Sequence, residues 1–238
     1  MKPFEIWNKY MQSYDFLTSV DGYARNLQDI VEALKPQPGM SVLDAGSGTG
    51  NLSLELSKKG ADVTSCDFSP SAIAKHLEKD SKAHVVQASL EEPLPFNNDH
   101  FSAVCCASVL FALSRQGCKL ALEEFHRVLN HTGKIVLTVP AQEARLRSLV
   151  FMHMTTLMRR HGTVGGGFRA IRHVPSLIKV LHYNRLLMNL PDWQGFHIFS
   201  EPELRSCFTD AGFSRIAVTR TYGGCFFLVT AQKNDDEK

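Results

Sequence analysis

The stretch 42–50, Val-Leu-Asp-Ala-Gly-Ser-Gly-Thr-Gly, constrains this chain more than any other. Its apolar start reads as a buried strand, an acid follows, and the glycines open a tight turn into a helix. Glycine tolerates positive φ and leaves room where a Cβ would clash, so Gly46, Gly48 and Gly50 let the backbone bend and approach a ligand closely. The helix that follows would direct its free amides toward that ligand. A carboxylate at Asp44 suits a ligand carrying an ammonium group, whereas it would repel a pyrophosphate. A tight packing corner with no ligand is the other use of such a turn.

The spacing G-x-G-x-G followed by Asn51 lacks the third glycine of the dinucleotide fingerprint G-x-G-x-x-G and the G-K-[ST] ending of a phosphate loop. Both nucleotide readings weaken. The segment resembles instead the first motif of the class I S-adenosylmethionine-dependent methyltransferases, an acid followed by alternating glycines. That resemblance implies an α/β fold with a doubly wound, seven-stranded, mostly parallel Rossmann-like sheet and a helical cap insertion after the fifth strand. It also implies S-adenosylmethionine as cofactor, S-adenosylhomocysteine as product, and Ser47 beside Gly46 and Gly48 in the cofactor loop.

The next segments extend the resemblance. Residues 61–66 read as a short strand ending at Asp67, and Ser69-Pro70-Ser71 supplies a helix N-cap with proline at the first helical position. In doubly wound sheets an acid at the end of the second strand accepts hydrogen bonds from both ribose hydroxyls, and Asp67 is that acid. The resemblance assigns Phe68 to the adenine face, with a core position as the alternative. A third strand at 84–87 leads into a Leu-Pro-Phe ending at 94–96 that is similar to the family's third motif. Family members carry Asp near position 89; here Ser89 would accept one bond from the adenine amino group, and the Leu90 amide would address the ring nitrogen.

Residues 101–110 have the composition of a strand buried on both faces. Ser102 departs from the Phe-Asp-Ala-Val usual in the family, at the end of the strand away from the ligand. By the same resemblance, the backbone of Ala107 and Ser108 lines the cofactor's methionine portion. A helix at 120–129, a turn at 130–133 and a strand at 134–139 are expected next. Near the carboxyl end, Ser200-Glu201-Pro202-Glu203 reads as a capping box, Gly212 as a helix stop, and 215–219 with 226–231 as an antiparallel hairpin.

With 238 residues and 44% hydrophobic content, the chain can bury one sizeable core. The expectation is a single domain over 1–238: a helical lid at 1–37, a cofactor-binding core at 38–140, a helical cap at 141–198, and a closing helix and hairpin at 199–238. No apolar run is long enough to span a membrane, and the start, Met1-Lys2-Pro3-Phe4-Glu5, is unlike a secretory signal, so a soluble cytoplasmic protein is expected. Six cysteines without a C-x-x-C pair read as buried thiols, and no metal site is expected.

Net charge is only +2, yet 141–198 places Arg145, Arg147, Arg159, Arg160, Arg169, Arg172, Lys179 and Arg185 against Glu143 and Asp192. That excess favours an acceptor or partner of negative charge, presenting a carboxylate, a phosphate or an acidic carrier surface, or else forms a solvated helix face; the function expected is methyl transfer to a small or medium-sized acceptor. At the amino end Tyr14-Asp15 resembles an element that precedes the first motif in many small-molecule members, which makes Tyr14 the lid residue facing the sulfonium. Displacement at a sulfonium methyl needs a base only if the acceptor must lose a proton; His153, His173 and His197 are the candidates, and no spacing pairs any of them with an orienting acid. Three other classes compete: a nucleotide-dependent oxidoreductase, a non-catalytic binding module, and a nucleic-acid methyltransferase, the last disfavoured because the arginines are not interleaved with stacking aromatics.

Overall fold

The computed structural model describes residues 21–141, 197–221 and 224–233, together with 158, 162 and 182. Tyr14, His153, His173 and nearly all of the basic stretch at 141–198 lie outside the described residues, as do residues 1–20 of the expected lid.

Helix α1 (Asp21–Leu34) precedes strand β1 (Ser41–Ala45), and α2 (Asn51–Lys58) follows the glycine turn. Then come β2 (Asp62–Asp67), α3 (Pro70–Lys79), β3 (His84–Gln87), β4 (Phe101–Ala107), a 3-10 turn at Leu110–Ala112 and α4 (Arg115–Val128). Strand β5 (Leu129–Pro140), α5 (Glu201–Asp210), β6 (Phe213–Thr221) and β7 (Phe226–Lys233) complete the order. The seven strands form one sheet in the order β3-β2-β1-β4-β5-β7-β6. Pairings among β1 to β5 are parallel, and β7 is antiparallel to both β5 and β6.

Strand alternation sorts the core into two layers. Val42, Ala103, Cys105 and Val136 face Leu27, Ile30 and Leu34 of α1 and Leu52 and Leu56 of α2. Leu43, Val104, Cys106, Ile135 and Leu137 face the other way, toward Leu122 and Phe125 of α4 and Leu204 and Phe208 of α5. Because the central strands are covered on both sides they need continuous apolar runs, which is how 103–106 reads, while in 42–45 Asp44 interrupts the run. All six cysteines are free thiols, and burial pushes Cys66 up to about 12, so it is a packing group.

Two local expectations are corrected. The segment 130–133 lies inside β5 rather than in a turn before it: Phe101 pairs with Leu129 but Ala103 with Lys134, so the extra residues bulge out of the ladder. Helix α4 begins earlier than its apolar run suggests, at Ser114, whose hydroxyl accepts from the Gly117 amide at 2.9 Å.

The loop carrying Ser89 and Leu90 is fastened to α4. Glu124 accepts from the Leu94 amide at 2.7 Å, and Arg127 donates to the Leu94 and Phe96 carbonyls at 3.0 and 2.8 Å while pairing with Glu124. The pair holds Glu124 below its ordinary carboxylate range. Arg127→Ala leaves these carbonyls and Glu124 without their partner and is expected to lower stability by about 2–4 kcal/mol, read as a drop in thermal midpoint. A change within 1 °C of wild type would show that the clamp contributes nothing.

Candidate functional site

The strand order reverses between β1 and β4, each continuing to a different side, and the crevice beyond the carboxyl ends of such strands is where doubly wound sheets hold ligands. Asp44, the glycine turn, Asp67, Ala107 and Ser108 all lie at that edge.

The turn itself is built by positive φ at Gly46, Gly48 and Gly50 (+72°, +54° and +79°), but the three glycines serve different ends. A Cβ on Gly46 would sit 2.6 Å from Val109, and one on Gly50 would sit 2.1 Å from the His76 ring, whereas one on Gly48 meets nothing within 4 Å. Gly46 and Gly50 are therefore packing requirements, and Gly48 is the glycine with open space before it. The turn's amides are largely spent within the fold: Gly46 and Ser47 both donate to the Cys66 carbonyl, and Gly50 donates to the Ser47 carbonyl. Lys79, at the end of α3, clamps the turn by donating to the Thr49 carbonyl and hydroxyl and to Asn51. These observations set a pair of substitutions apart. Gly50→Ala is expected to cost about 2–4 kcal/mol through strain and overlap with His76. Gly48→Ala should cost about 1 kcal/mol and weaken ligand binding instead. Thermal melts beside calorimetry with S-adenosylhomocysteine separate the two, and a larger stability loss at Gly48 would refute the assignment.

Asp67 closes β2. One carboxylate oxygen accepts from the Gly48 amide at 2.9 Å and the other from the Ser69 amide at 2.8 Å, which ties the two ligand-side turns together. Burial pushes this carboxyl up, against the opposing pull of those amides. The Phe68 amide also bonds this carboxylate, so three backbone donors hold it in place. Phe68 beside it is 37% exposed, so its ring is not a core side chain. Ser69 caps α3 as expected, its hydroxyl accepting from the Ala72 amide.

Asp44 is 1% exposed. Ser53 of α2 donates to its Oδ2 at 2.5 Å and is itself bonded to Ser65 at 2.8 Å, while Oδ1 has no hydrogen-bond partner among the described residues. Burial pushes this carboxyl up to about 7, with Asp67 adding repulsion. A buried acidic oxygen without a donor fits a cationic or N–H-bearing ligand group. The Ser47 hydroxyl is likewise buried without a partner among the described residues.

Around the remaining positions the structure is mixed. Ser89 accepts from the Glu91 amide at 3.1 Å, so its hydroxyl also braces its own loop, and Leu90 is buried beside it. Ala107 ends β4 opposite Thr138, and Ser108 then takes a positive φ of 57°. His197, for which no spacing indicated an acid, has one: Glu203 lies 2.8 Å from its Nε2. The capping box is correspondingly half formed, because Ser200 accepts from the Glu203 amide while the Glu203 carboxylate turns to His197. His197 also donates its own amide to the Phe111 carbonyl, placing it beside the segment that follows β4.

Sequence reasoning missed Asn26, Ser53 and His76. Asn26 had a signal, since it lies within the apolar stripe of Leu27, Ile30 and Leu34, where a polar residue is out of place. Ser53 and His76 had none, because their partners come from other elements.

Comparison with known proteins agrees with this geometry. Residues 42–133 match the family model described as a methyltransferase domain. A demethylmenaquinone methyltransferase from Beutenbergia cavernae is 34% identical over 108 residues, covering 45% of this chain and 43% of that protein. A glycine/sarcosine N-methyltransferase from Aphanothece halophytica is 29% identical over 137 residues, covering 54% and 51% respectively. The chain thus spans about half the length of the curated relatives it matches. Among solved structures, an S-adenosylmethionine-dependent methyltransferase from Thermotoga maritima superposes with a TM-score of 0.65 at 16% identity, covering 97% of this chain and all of that one. The sheet order and the acidic glycine turn agree with these matches: residues 42–133 are similar to a methyltransferase domain, and the fold is that of solved S-adenosylmethionine-dependent methyltransferases. Among the described residues no helix is long and apolar enough to cross a membrane.

Proposed function

We propose that this protein transfers a methyl group from S-adenosylmethionine to a small or medium-sized acceptor. The observation that carries the reading is the Asp67 carboxylate, anchored by the Gly48 and Ser69 amides beside the one glycine of the turn that faces open space. In this reading Asp67 accepts from the ribose hydroxyls, Phe68 covers the adenine face, and Ser89 with the Leu90 amide addresses the adenine edge. Asp44 and the Ala107 backbone serve the amino-acid end, and Tyr14 covers the sulfonium. When bound, the cofactor supplies an electrophilic methyl, which an acceptor lone pair takes in line as the neutral thioether departs. Positioning contributes most of the acceleration in such a displacement, on the order of 7–11 kcal/mol.

The arginine-rich stretch at 141–198 supports an anionic acceptor. The two curated relatives act, by their names, on chemically unlike acceptors, so they do not choose one for this chain. Six free thiols suit the reducing cytoplasm. Calorimetry with S-adenosylmethionine tests the reading directly; absence of binding would favour a non-catalytic module on the same fold. Mass spectrometry of the protein incubated with labelled cofactor and a metabolite library would then return the acceptor.

Among the base candidates, His197 is supported by its Glu203 partner and by its backbone bond to Phe111 after β4. A carboxylate can only accept, so Glu203 holds the proton on Nε2 and leaves Nδ1 with the lone pair. Glu203→Gln is expected to slow turnover of a protic acceptor about a hundredfold while leaving S-adenosylhomocysteine affinity unchanged. An unaltered rate would remove the pair from the mechanism.

A further inference from the structure

At the carboxyl edge of β4 and β5 lies a polar cluster that the assigned roles leave unused. Asn26 of α1 is 2% exposed, and its Nδ2 donates to the Ser108 hydroxyl at 3.2 Å and to the Thr138 hydroxyl at 3.1 Å. Those two hydroxyls are 3.4 Å apart, and the Ser108 amide donates to the Thr138 carbonyl. The amide is thus held by two hydroxyls, yet its Oδ1 is buried with no hydrogen-bond partner among the described residues. Leaving a buried carbonyl unbonded is unfavourable, and folds rarely do so without a use for the group. A non-glycine residue in the left-handed region, Ser108 at φ +57°, forms one wall, which is the kind of local strain found at binding sites.

The cluster shares a face and an edge with Asp44. Val42 and Val136 face α1, and Asp44 and Thr138 each follow two residues later on the same side of their strands. Asp44 pairs with Cys105, roughly 7 Å short of the end of β4 at Ala107. Two buried oxygens, one acidic and one a carbonyl, thus await donors at the same end of the sheet. A carboxylate or phosphate would be repelled by both. An ammonium, with three N–H groups and a positive charge, complements both.

We propose that Asn26 is a cofactor-recognition residue whose Oδ1 accepts a hydrogen bond from the α-ammonium of the methyl donor's amino-acid end. The inference rests on the methyl-donor reading above and adds a residue from outside its motifs. Ser108 and Thr138 are the positioning residues that fix the orientation of that carbonyl through its amide nitrogen. Calorimetry with two probes tests it: S-adenosylhomocysteine, and its deaminated analogue in which hydrogen replaces the amino group. Asn26→Ala should weaken the first about ten- to a hundredfold and leave the second within about twofold of wild type. If Asn26→Ala does not fold, Thr138→Val, which keeps the packing volume and deletes one aiming hydroxyl, should still weaken S-adenosylhomocysteine selectively. Equal S-adenosylhomocysteine affinity in wild type and variant, or a parallel loss for both probes, overturns the assignment. A wild-type protein that binds neither probe would instead bring down the methyl-donor reading and this inference with it.

Discussion

Asp67→Ala is expected to abolish measurable S-adenosylmethionine binding and to lower the thermal midpoint as well. The side chain has two jobs. Within the fold it satisfies the Gly48 and Ser69 amides, and removing it leaves both without their acceptor at about 1–3 kcal/mol each, partly offset by no longer burying a carboxylate. A net loss of about 2–4 kcal/mol corresponds to a fall of roughly 5–15 °C for a domain of this size. Toward the ligand it would accept from two hydroxyls, and losing two bonds to a charged acceptor weakens affinity by about a hundredfold or more. Asp67→Asn separates the jobs. A carboxamide keeps one acceptor oxygen but turns an NH2 toward one of the amides, so part of the stability returns and the hydroxyl pair is still not served. Calorimetry beside differential scanning resolves both outcomes. Binding by Asp67→Ala equal to wild type would take Asp67 out of the site.

The elements most legible in the sequence were those whose signals are local. The 42–50 run, the Ser69-Pro70 cap and the third strand at His84–Gln87 all form where their residues indicate, because strand burial, cap chemistry and glycine φ are decided within a few residues. The closing hairpin, expected at 215–219 and 226–231, forms over Phe213–Thr221 and Phe226–Lys233. The bulge in β5 was not: Asn-His-Thr-Gly at 130–133 has turn chemistry, and only pairing with β4 and β7 keeps it in the strand.

The site divides in the same way. Asp44 and Asp67 could be read from the chain because strand ends define the ligand edge. What each side chain does there could not, since the occupant of each oxygen comes from elsewhere. Ser53 reaches Asp44 from the next helix, Gly48 reaches Asp67 from the previous turn, and Glu203 reaches His197 by leaving its own cap. Nothing local marks Glu124 and Arg127 as partners of another element, and only the fold shows that they hold the loop at Leu94 and Phe96. Asn26 shows how a departure from the apolar stripe could have been used.

Asp44→Asn should stabilise the protein above neutral pH while weakening the cofactor, and the sign of the first effect depends on pH. Burial raises the folded-state value from 3.8 to about 7, so between those values the folded protein holds more protons than the unfolded chain. Stability contributed by this group is therefore fully present at low pH and is lost as pH rises through about 7. The ionised carboxylate then costs the apo protein on the order of 2–4 kcal/mol, which the neutral amide does not. His76 acts in the opposite sense, its folded value lowered by burial, and loses stability as pH falls below its ordinary range; it is common to both proteins and cancels in the difference. The melting difference, variant minus wild type, should therefore be near zero or negative at about pH 5 and positive at about pH 8. Cofactor binding should show the counterpart. An arriving ammonium favours the ionised acid, so wild-type affinity rises with pH up to about 7 and proton release accompanies binding below it, whereas the asparagine variant binds weakly with no such slope. A melting difference independent of pH would mean that Asp44 titrates in the ordinary range, and a variant with undiminished affinity would mean that its buried oxygen meets no ligand charge.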